Sequence, residues 1–163
     1  MTEMTTTTGK KTIIVFSGEM DKILAAFVIA NGAAAMGDDV TMFFTFWGLN
    51  VLRKDASAHV HKTALERAFS WMMPRGTEHL RMSHFNFAGA GPHLLSHMMK
   101  AHHVDPISEM LATAREQGIQ MIACTMSMDV MGIRREELID GIDYAGVATY
   151  LGEADEANVN LFI

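Results

Sequence analysis

The sequence predicts an α/β protein with a mostly parallel central sheet. Short, largely apolar runs at residues 12–16, 40–46 and 119–124 are typical of strands that are buried on both faces. Segments with apolar residues at helical spacing separate these runs, and parallel strands need such crossover connections. We therefore expect helices to cover both faces of the sheet.

The first strand, KTIIVFSG at residues 11–18, is followed by a predicted helix. Glu19 and Asp21 fall in its first turn, where negative charge complements the helix dipole, and Gly37 marks its end. The apolar residues between these signals recur at helical spacing, namely Met20, Ile23, Leu24, Phe27 and Ala30.

The second strand, VTMFFTF at residues 40–46, leads out into the next segment through Gly48. A further helix is predicted to begin with Asp105 as its N-cap and Pro106 at its first helical position. Gly118 is the expected end of that helix.

The third strand, residues 119–124, ends at Cys124, and we expect Thr125 or Ser127 to cap a short helix after it. The rest of the chain is predicted as one or two helical turns, one longer helix and a final short strand, at residues 135–141, 143–158 and 159–163.

Residues 53–103 interrupt the alternation of predicted strands and helices. The segment is too long for an ordinary crossover, and prolines and glycines divide it. We predict a helical insertion over one edge of the sheet. Without internal repeats or low-complexity tracts, the chain is predicted as a single domain over residues 10–163, preceded by a disordered tail over residues 1–9.

Composition narrows the classes of function. The formal charge is −6 and no long basic cluster is present, so nucleic acid is not an expected partner. The N-terminus lacks the basic-then-apolar order of a signal peptide, and no run of about 18 apolar residues follows that would span a bilayer. A lone cysteine forms no internal disulfide, so a reducing, cytoplasmic setting is expected.

Cys124, the only cysteine, is predicted at the carboxyl end of a central strand. Reactive groups gather at this edge of α/β sheets, and a helix N-terminus there favours the thiolate. We expect the thiol to be at least partly reachable from solvent or from a cleft; the alternative is a small buried hydrophobic residue. A single thiolate can attack a sulfane sulfur, hold it as a persulfide and release it to another thiolate.

Three separated blocks of the sequence resemble one known family. Residues 16–50, 124–133 and 136–163 are similar to the larger, single-cysteine branch of the DsrE/DsrF-like sulfurtransferases, and the resemblance runs from Lys11 to Ile163. It implies a flavodoxin-like three-layer fold, homo-oligomers, and a persulfide relay with rhodanese-type and TusA-type carriers in which Cys124 is the acceptor.

Two other activities sometimes attributed to such chains are not supported by the residues. A peroxidatic site would need a Thr-x-x-Cys arrangement, and QMIAC at residues 120–124 has no threonine before the thiol. No G-x-G-x-x-G loop follows a strand, as dinucleotide binding would require. We therefore predict neither peroxidase nor NADH dehydrogenase activity, and no cofactor.

Other conspicuous residues have less specific interpretations. SGEMDK at residues 17–22 is predicted as a helix start, because its carboxylates would repel a phosphate. Trp47 and Asn50 are expected at the same sheet edge as Cys124, where they either wall its pocket or form a buried tryptophan with a bonded N–H. Asp129 either orients an incoming group or faces water.

Histidines concentrate between residues 79 and 103. His93 and His97 lie four apart on a predicted helix, a spacing that can hold zinc or nickel. No nearby carboxylate would orient them, so we predict exposed histidines on a partner-facing helix and no metal site.

We therefore predict a sulfur-relay protein in which Cys124 cycles between thiolate and persulfide. One alternative is a non-catalytic module that docks a sulfur carrier or a membrane surface through its Met-rich segment, residues 72–103, and another is a metal-responsive module. The apolar surface of that segment also predicts a homo-oligomer, either a dimer or a larger closed ring.

Overall fold

The structure is a computed structural model that describes residues 8–55 and 60–163. Apart from its last two residues, the predicted tail at residues 1–9 lies outside this range. The strands and α-helices are β1 (Lys10–Val15), α1 (Met20–Ala35), β2 (Asp39–Phe44), α2 (Ala64–Met72), α3 (Ala90–Ala101), α4 (Ile107–Glu116), β3 (Gln120–Cys124), α5 (Thr125–Met131), β4 (Asp143–Ala145), α6 (Val147–Glu156) and β5 (Val159–Phe162). Short 3₁₀ helices occur at Phe46–Leu52, Phe87–Gly89 and Arg135–Glu137.

The five strands form one sheet in the order β4-β3-β2-β1-β5, and every neighbouring pair is parallel. Helices α1 and α4 pack against each other on one face, and α6 lies on the other. The predicted α/β class, with its layered parallel sheet, is confirmed. Because the chain steps outward from β1 to β4 and then returns to β5, the strand order reverses between β1 and β5.

The first face carries the larger core. Ile23 and Phe27 of α1 are fully buried, and the ring of Phe27 lies 6.4 Å from that of Phe44 in β2. Burial of each such side chain contributes roughly 1.5–3 kcal/mol. The predicted end of the helix is also confirmed, because Gly37 has a φ of 90°, which glycine adopts without strain.

The second face is covered more thinly. Tyr150 of α6 packs on Phe43 with ring centroids 5.1 Å apart, and Ile122 and Cys124 complete the small buried cluster. The Tyr150 hydroxyl lies 3.3 Å from Thr12 Oγ1, which gives the buried phenol a polar partner.

Two predicted elements differ from the structure. Residues 143–158 are not one helix, because residues 143–145 form β4, which pairs with β3 from Ile122–Asp143 to Cys124–Ala145. A strand of three residues is too short to show a period in sequence. Helix α4 begins at Ile107 with Pro106 in the N-cap position, so Asp105 is not its cap.

The 53–103 segment contains α2, α3 and one 3₁₀ helix. It is fastened to the start of α1, where Ser83 N donates to Asp21 Oδ1 at 3.0 Å and Met20 N donates to Arg81 O at 2.7 Å. Within the described residues, no helix is long and apolar enough to cross a membrane.

Candidate functional site

Cys124 is the last residue of β3 and occupies the N-cap position of α5. It pairs with Ala145 of β4, and its φ of −69° and ψ of 113° carry the chain from extended to helical backbone. The predicted position, at the carboxyl end of a central strand with a helix starting directly after it, is confirmed.

The thiol itself is buried, with only 3% of the residue exposed. Because side chains alternate along a strand, Cys124 shares the second sheet face with Ile122, and the cluster around them includes Phe43 and Tyr150. The expectation that the thiol is at least partly reachable from solvent or from a cleft is therefore wrong, since α6 covers the face onto which it points.

The two predicted caps of α5 have other partners. Thr125 is the first helical residue, and its hydroxyl donates to Ala145 O at 3.5 Å. Ser127 Oγ lies 2.7 Å from Thr45 Oγ1. These hydroxyls connect the start of α5 to the ends of β4 and β2, so they hold the backbone around Cys124 in place instead of capping the helix.

A shallow cleft of about 330 Å³ lies beside the start of α5, lined by Thr125, Asp129, Arg134 and Arg135 among others. Asp129 is exposed, which agrees with the prediction that it faces water. Arg134 Nη2 donates to Glu66 Oε1 at 2.9 Å, and Arg135 stacks over the Tyr144 ring at 4.5 Å. Arg134 and Arg135 follow Cys124 by ten and eleven residues, and sequence analysis did not single them out.

Trp47 and Asn50 lie in a different cleft, with Ser17 and Glu19 at the end of β1. Trp47 is 44% exposed and lines this separate cleft, so it is not buried and does not wall a pocket around Cys124. Asn50 is buried, and its Oδ1 has no hydrogen-bond partner among the described residues. Gly48 permits this loop to approach β1, because a Cβ there would lie 2.1 Å from Val15 O.

His93 and His97 are exposed on α3, as predicted. His93 lines a cleft with His79, Glu78 and Lys100. Across residues 8–55 and 60–163, no group of three or more histidine, cysteine, aspartate or glutamate side chains is placed to hold a metal ion. His59 lies outside the described residues.

The structure also brings together a buried charged cluster that sequence analysis missed. Arg53 Nη2 lies 3.1 Å from Glu137 Oε1, and Lys62 Nζ lies 2.6 Å from Glu137 Oε2. Burial lowers the pKa of Arg53 below its ordinary value, only partly opposed by Glu137. Burial alone would raise the pKa of Glu137, yet the Lys62 hydrogen bond and neighbouring positive charges hold it below its ordinary value.

The fold and the site together define a class of protein: a three-layer α/β protein with an all-parallel sheet, whose single thiol stands where a central strand meets a helix. The model of the DsrE/DsrF/DrsH-like family matches residues 7–162. The chain belongs to this family.

Two relatives match the chain over nearly their whole length. Uncharacterized protein YrkE of Bacillus subtilis (strain 168) is 51% identical over 98% of this chain and 100% of its own. Sulfur carrier protein DsrE2 of Allochromatium vinosum is 33% identical over 94% of this chain and 98% of its own.

Two solved structures share the fold at low sequence identity. The ychN protein of E. coli has a TM-score of 0.56 and 12% identity, over 95% of this chain and 99% of its own. The protein of unknown function MTH1491 of Methanobacterium thermoautotrophicum has a TM-score of 0.51 and 14% identity, over 94% and 99%.

Proposed function

We propose that this protein is a sulfur-relay protein that accepts and donates sulfur as a persulfide on Cys124. The observation that carries the proposal is the position of the only thiol, at the carboxyl end of β3, in a chain of the DsrE/DsrF/DrsH-like family. The 33% identity to a protein named a sulfur carrier supports a role in sulfur relay.

The chemistry needs one thiol and no cofactor. The Cys124 thiolate attacks the outer sulfur of a donor persulfide, the donor's S–S bond breaks, and the donor leaves as a thiolate. An acceptor thiolate then attacks the outer sulfur of the Cys124 persulfide and releases the Cys124 thiolate. Because each step exchanges one S–S bond for another, no external oxidant is consumed. TusA-type and rhodanese-type carriers in a reducing cytoplasm are the proposed partners.

Because the thiol is buried, its cover must open before a donor or acceptor sulfur can approach it. The attacking sulfur must also lie in line with the S–S bond that breaks. Helix α6 is the element that moves in this proposal. Its polar contacts to β1 are those of Tyr150 with Thr12 and of Lys10 Nζ with Glu153 and Glu156, the last two at 2.9 and 2.6 Å. These ion pairs are partly exposed, and surface ion pairs contribute little to stability, so docking of a carrier is proposed to displace α6 locally.

Tyr150→Ala is expected to raise the rate of Cys124 alkylation by iodoacetamide about tenfold or more under native conditions. Removing the ring lowers the free energy of opening, and each 1.4 kcal/mol corresponds to a factor of ten. The rate is measured by intact-protein mass spectrometry, in which the single cysteine gives one product.

Leu151→Ala is the matched control, because Leu151 is exposed on the same helix. Its alkylation rate should equal that of the unaltered protein, and circular dichroism should show both variants folded. Equal rates for Tyr150→Ala and the unaltered protein would show that α6 does not control access.

A second proposal concerns the assembly of the protein and starts from a separate observation. Large apolar side chains of the 53–103 segment are exposed, among them Trp71 at 85% and Met72, Phe85 and Phe87. Apolar surface of this extent rarely stays exposed on monomers. We propose that it is buried between like subunits in a closed homo-oligomer, with a sulfur carrier or a membrane surface as the alternative occupant.

Light scattering at micromolar concentration is expected to give the mass of a dimer or a larger ring of subunits of 18.0 kDa each. Trp71→Glu is expected to reduce that mass, because the introduced carboxylate would be desolvated at the interface. Met36→Glu, at an exposed position at the end of α1, is the matched control and should leave it unchanged. A mass near 18.0 kDa for the unaltered protein would refute the oligomer and favour the docking surface.

A further inference from the structure

A cleft between α2 and the 3₁₀ helix Arg135–Glu137 has a floor of buried polar groups. Its volume is about 580 Å³, and Ser70 and Glu137, which line it, are only 3% and 2% exposed. Cationic side chains surround this floor: Lys62, Arg67 and Arg75 line the cleft, and Arg53 lies beneath it.

Three cationic side chains contact the same carboxylate and the same hydroxyl in this cleft. Glu137 is approached by Arg53 at 3.1 Å, Lys62 at 2.6 Å and Arg75 at 3.8 Å. The same three groups converge on Ser70 Oγ, at 2.8, 3.0 and 3.4 Å. A serine hydroxyl has two acceptor lone pairs, so it cannot accept from all three donors at once.

The charges of the cleft do not balance. Among the described residues, four cations lie in or beneath the cleft, Arg53, Lys62, Arg67 and Arg75, against two carboxylates, Glu137 and Asp55. Arg53 Nε is buried without a hydrogen-bond partner among the described residues. Arg53 and Lys62 share the single buried carboxylate of Glu137, and buried positive charge is costly unless it is paired, so this excess of cations favours an additional anion.

We propose that this cleft binds a small oxyanion with two negative charges, of the chemical class of sulfate, thiosulfate and phosphate. Arg75 and Lys62 each have donors directed at the overcrowded Ser70 hydroxyl, and an oxyanion would offer them separate acceptor oxygens. Glu137 and Asp55 oppose the anion, but they are outnumbered by the cations. This inference does not depend on sulfur transfer at Cys124.

The test is thermal unfolding of the full chain in sulfate, thiosulfate or phosphate, each compared with sodium chloride at the same ionic strength. A ligand that binds only the folded state raises Tm with its concentration. Because sulfate and phosphate also stabilise folded proteins by exclusion from their surface, the binding signal is the part of the Tm rise beyond that in chloride that Arg75→Gln reduces. Arg75→Gln is expected to weaken the apparent affinity roughly ten- to a hundredfold, as for the loss of a charge-assisted hydrogen bond.

Arg67→Gln is a second variant, because Arg67 is exposed and lines the cleft; a loss of about two- to fivefold is expected. Arg115→Gln, at an exposed position on α4 outside the cleft, removes the same charge and should bind as the unaltered protein does. A Tm rise equal to that in chloride, or equal affinities for the Arg67, Arg75 and Arg115 variants, would overturn the proposal.

Discussion

Cys124→Ser is expected to abolish sulfur loading completely while the chain remains folded. Oxygen is nearly isosteric with sulfur but cannot form a persulfide, and the chain has no second thiol to take over. Intact-protein mass after incubation with a persulfide donor should show added sulfur in the unaltered protein, and a reductant should remove it. The variant should show no such addition.

A matched variant separates chemistry from packing. Because Cys124 lies among Phe43, Ile122 and Tyr150, the serine hydroxyl would be buried among apolar groups, and lack of a partner would cost about 1–3 kcal/mol. Cys124→Ala avoids this penalty and should be equally inactive. Sulfur loading of either variant would contradict the assignment of Cys124, whereas an unfolded serine variant with no loading in the unaltered protein would support a purely structural cysteine.

Glu137→Gln is expected to destabilise the protein by about 3–5 kcal/mol, because it leaves Arg53 as an uncompensated buried charge. The free energy of unfolding is measured in urea at neutral pH. Glu136→Gln is the matched control, since its exposed neighbouring side chain should change stability by only about 0.5 kcal/mol or less. Equal effects of the two variants would show that the buried cluster does not contribute to stability.

The contribution of Glu137 to the free energy of unfolding should depend on pH. The pKa of Glu137 lies below its ordinary value of 4.5 in the folded chain, so its ionised form stabilises the fold above about that pH. As the pH falls through the lowered folded value, the unfolded chain binds the proton first and the stabilisation is lost. The difference in the free energy of unfolding between the unaltered protein and Glu137→Gln should therefore shrink below pH 4.5 and stay constant above it.

Much of the fold follows from local patterns. The apolar runs of β1, β2 and β3 and the spacing of apolar residues in α1 are visible in the sequence. A strand buried on both faces leaves a short continuous apolar run, and a helix with one buried face repeats its apolar residues every three or four positions. Strand β4 was missed, because three residues become a strand only through pairing with β3. The Arg53–Glu137 pair was missed for a similar reason, since 84 positions separate its members.

Local sequence patterns are enough to predict an α/β protein in which Cys124 ends a central strand before a helix, since both features depend on neighbouring residues. Three other features become visible only in the folded chain: the thiol is covered, Trp47 lies in another cleft, and Arg53, Lys62 and Arg75 share one carboxylate. Exposure and charge pairing depend on which helix crosses which sheet face, and that choice is made by the free energy of packing the whole chain.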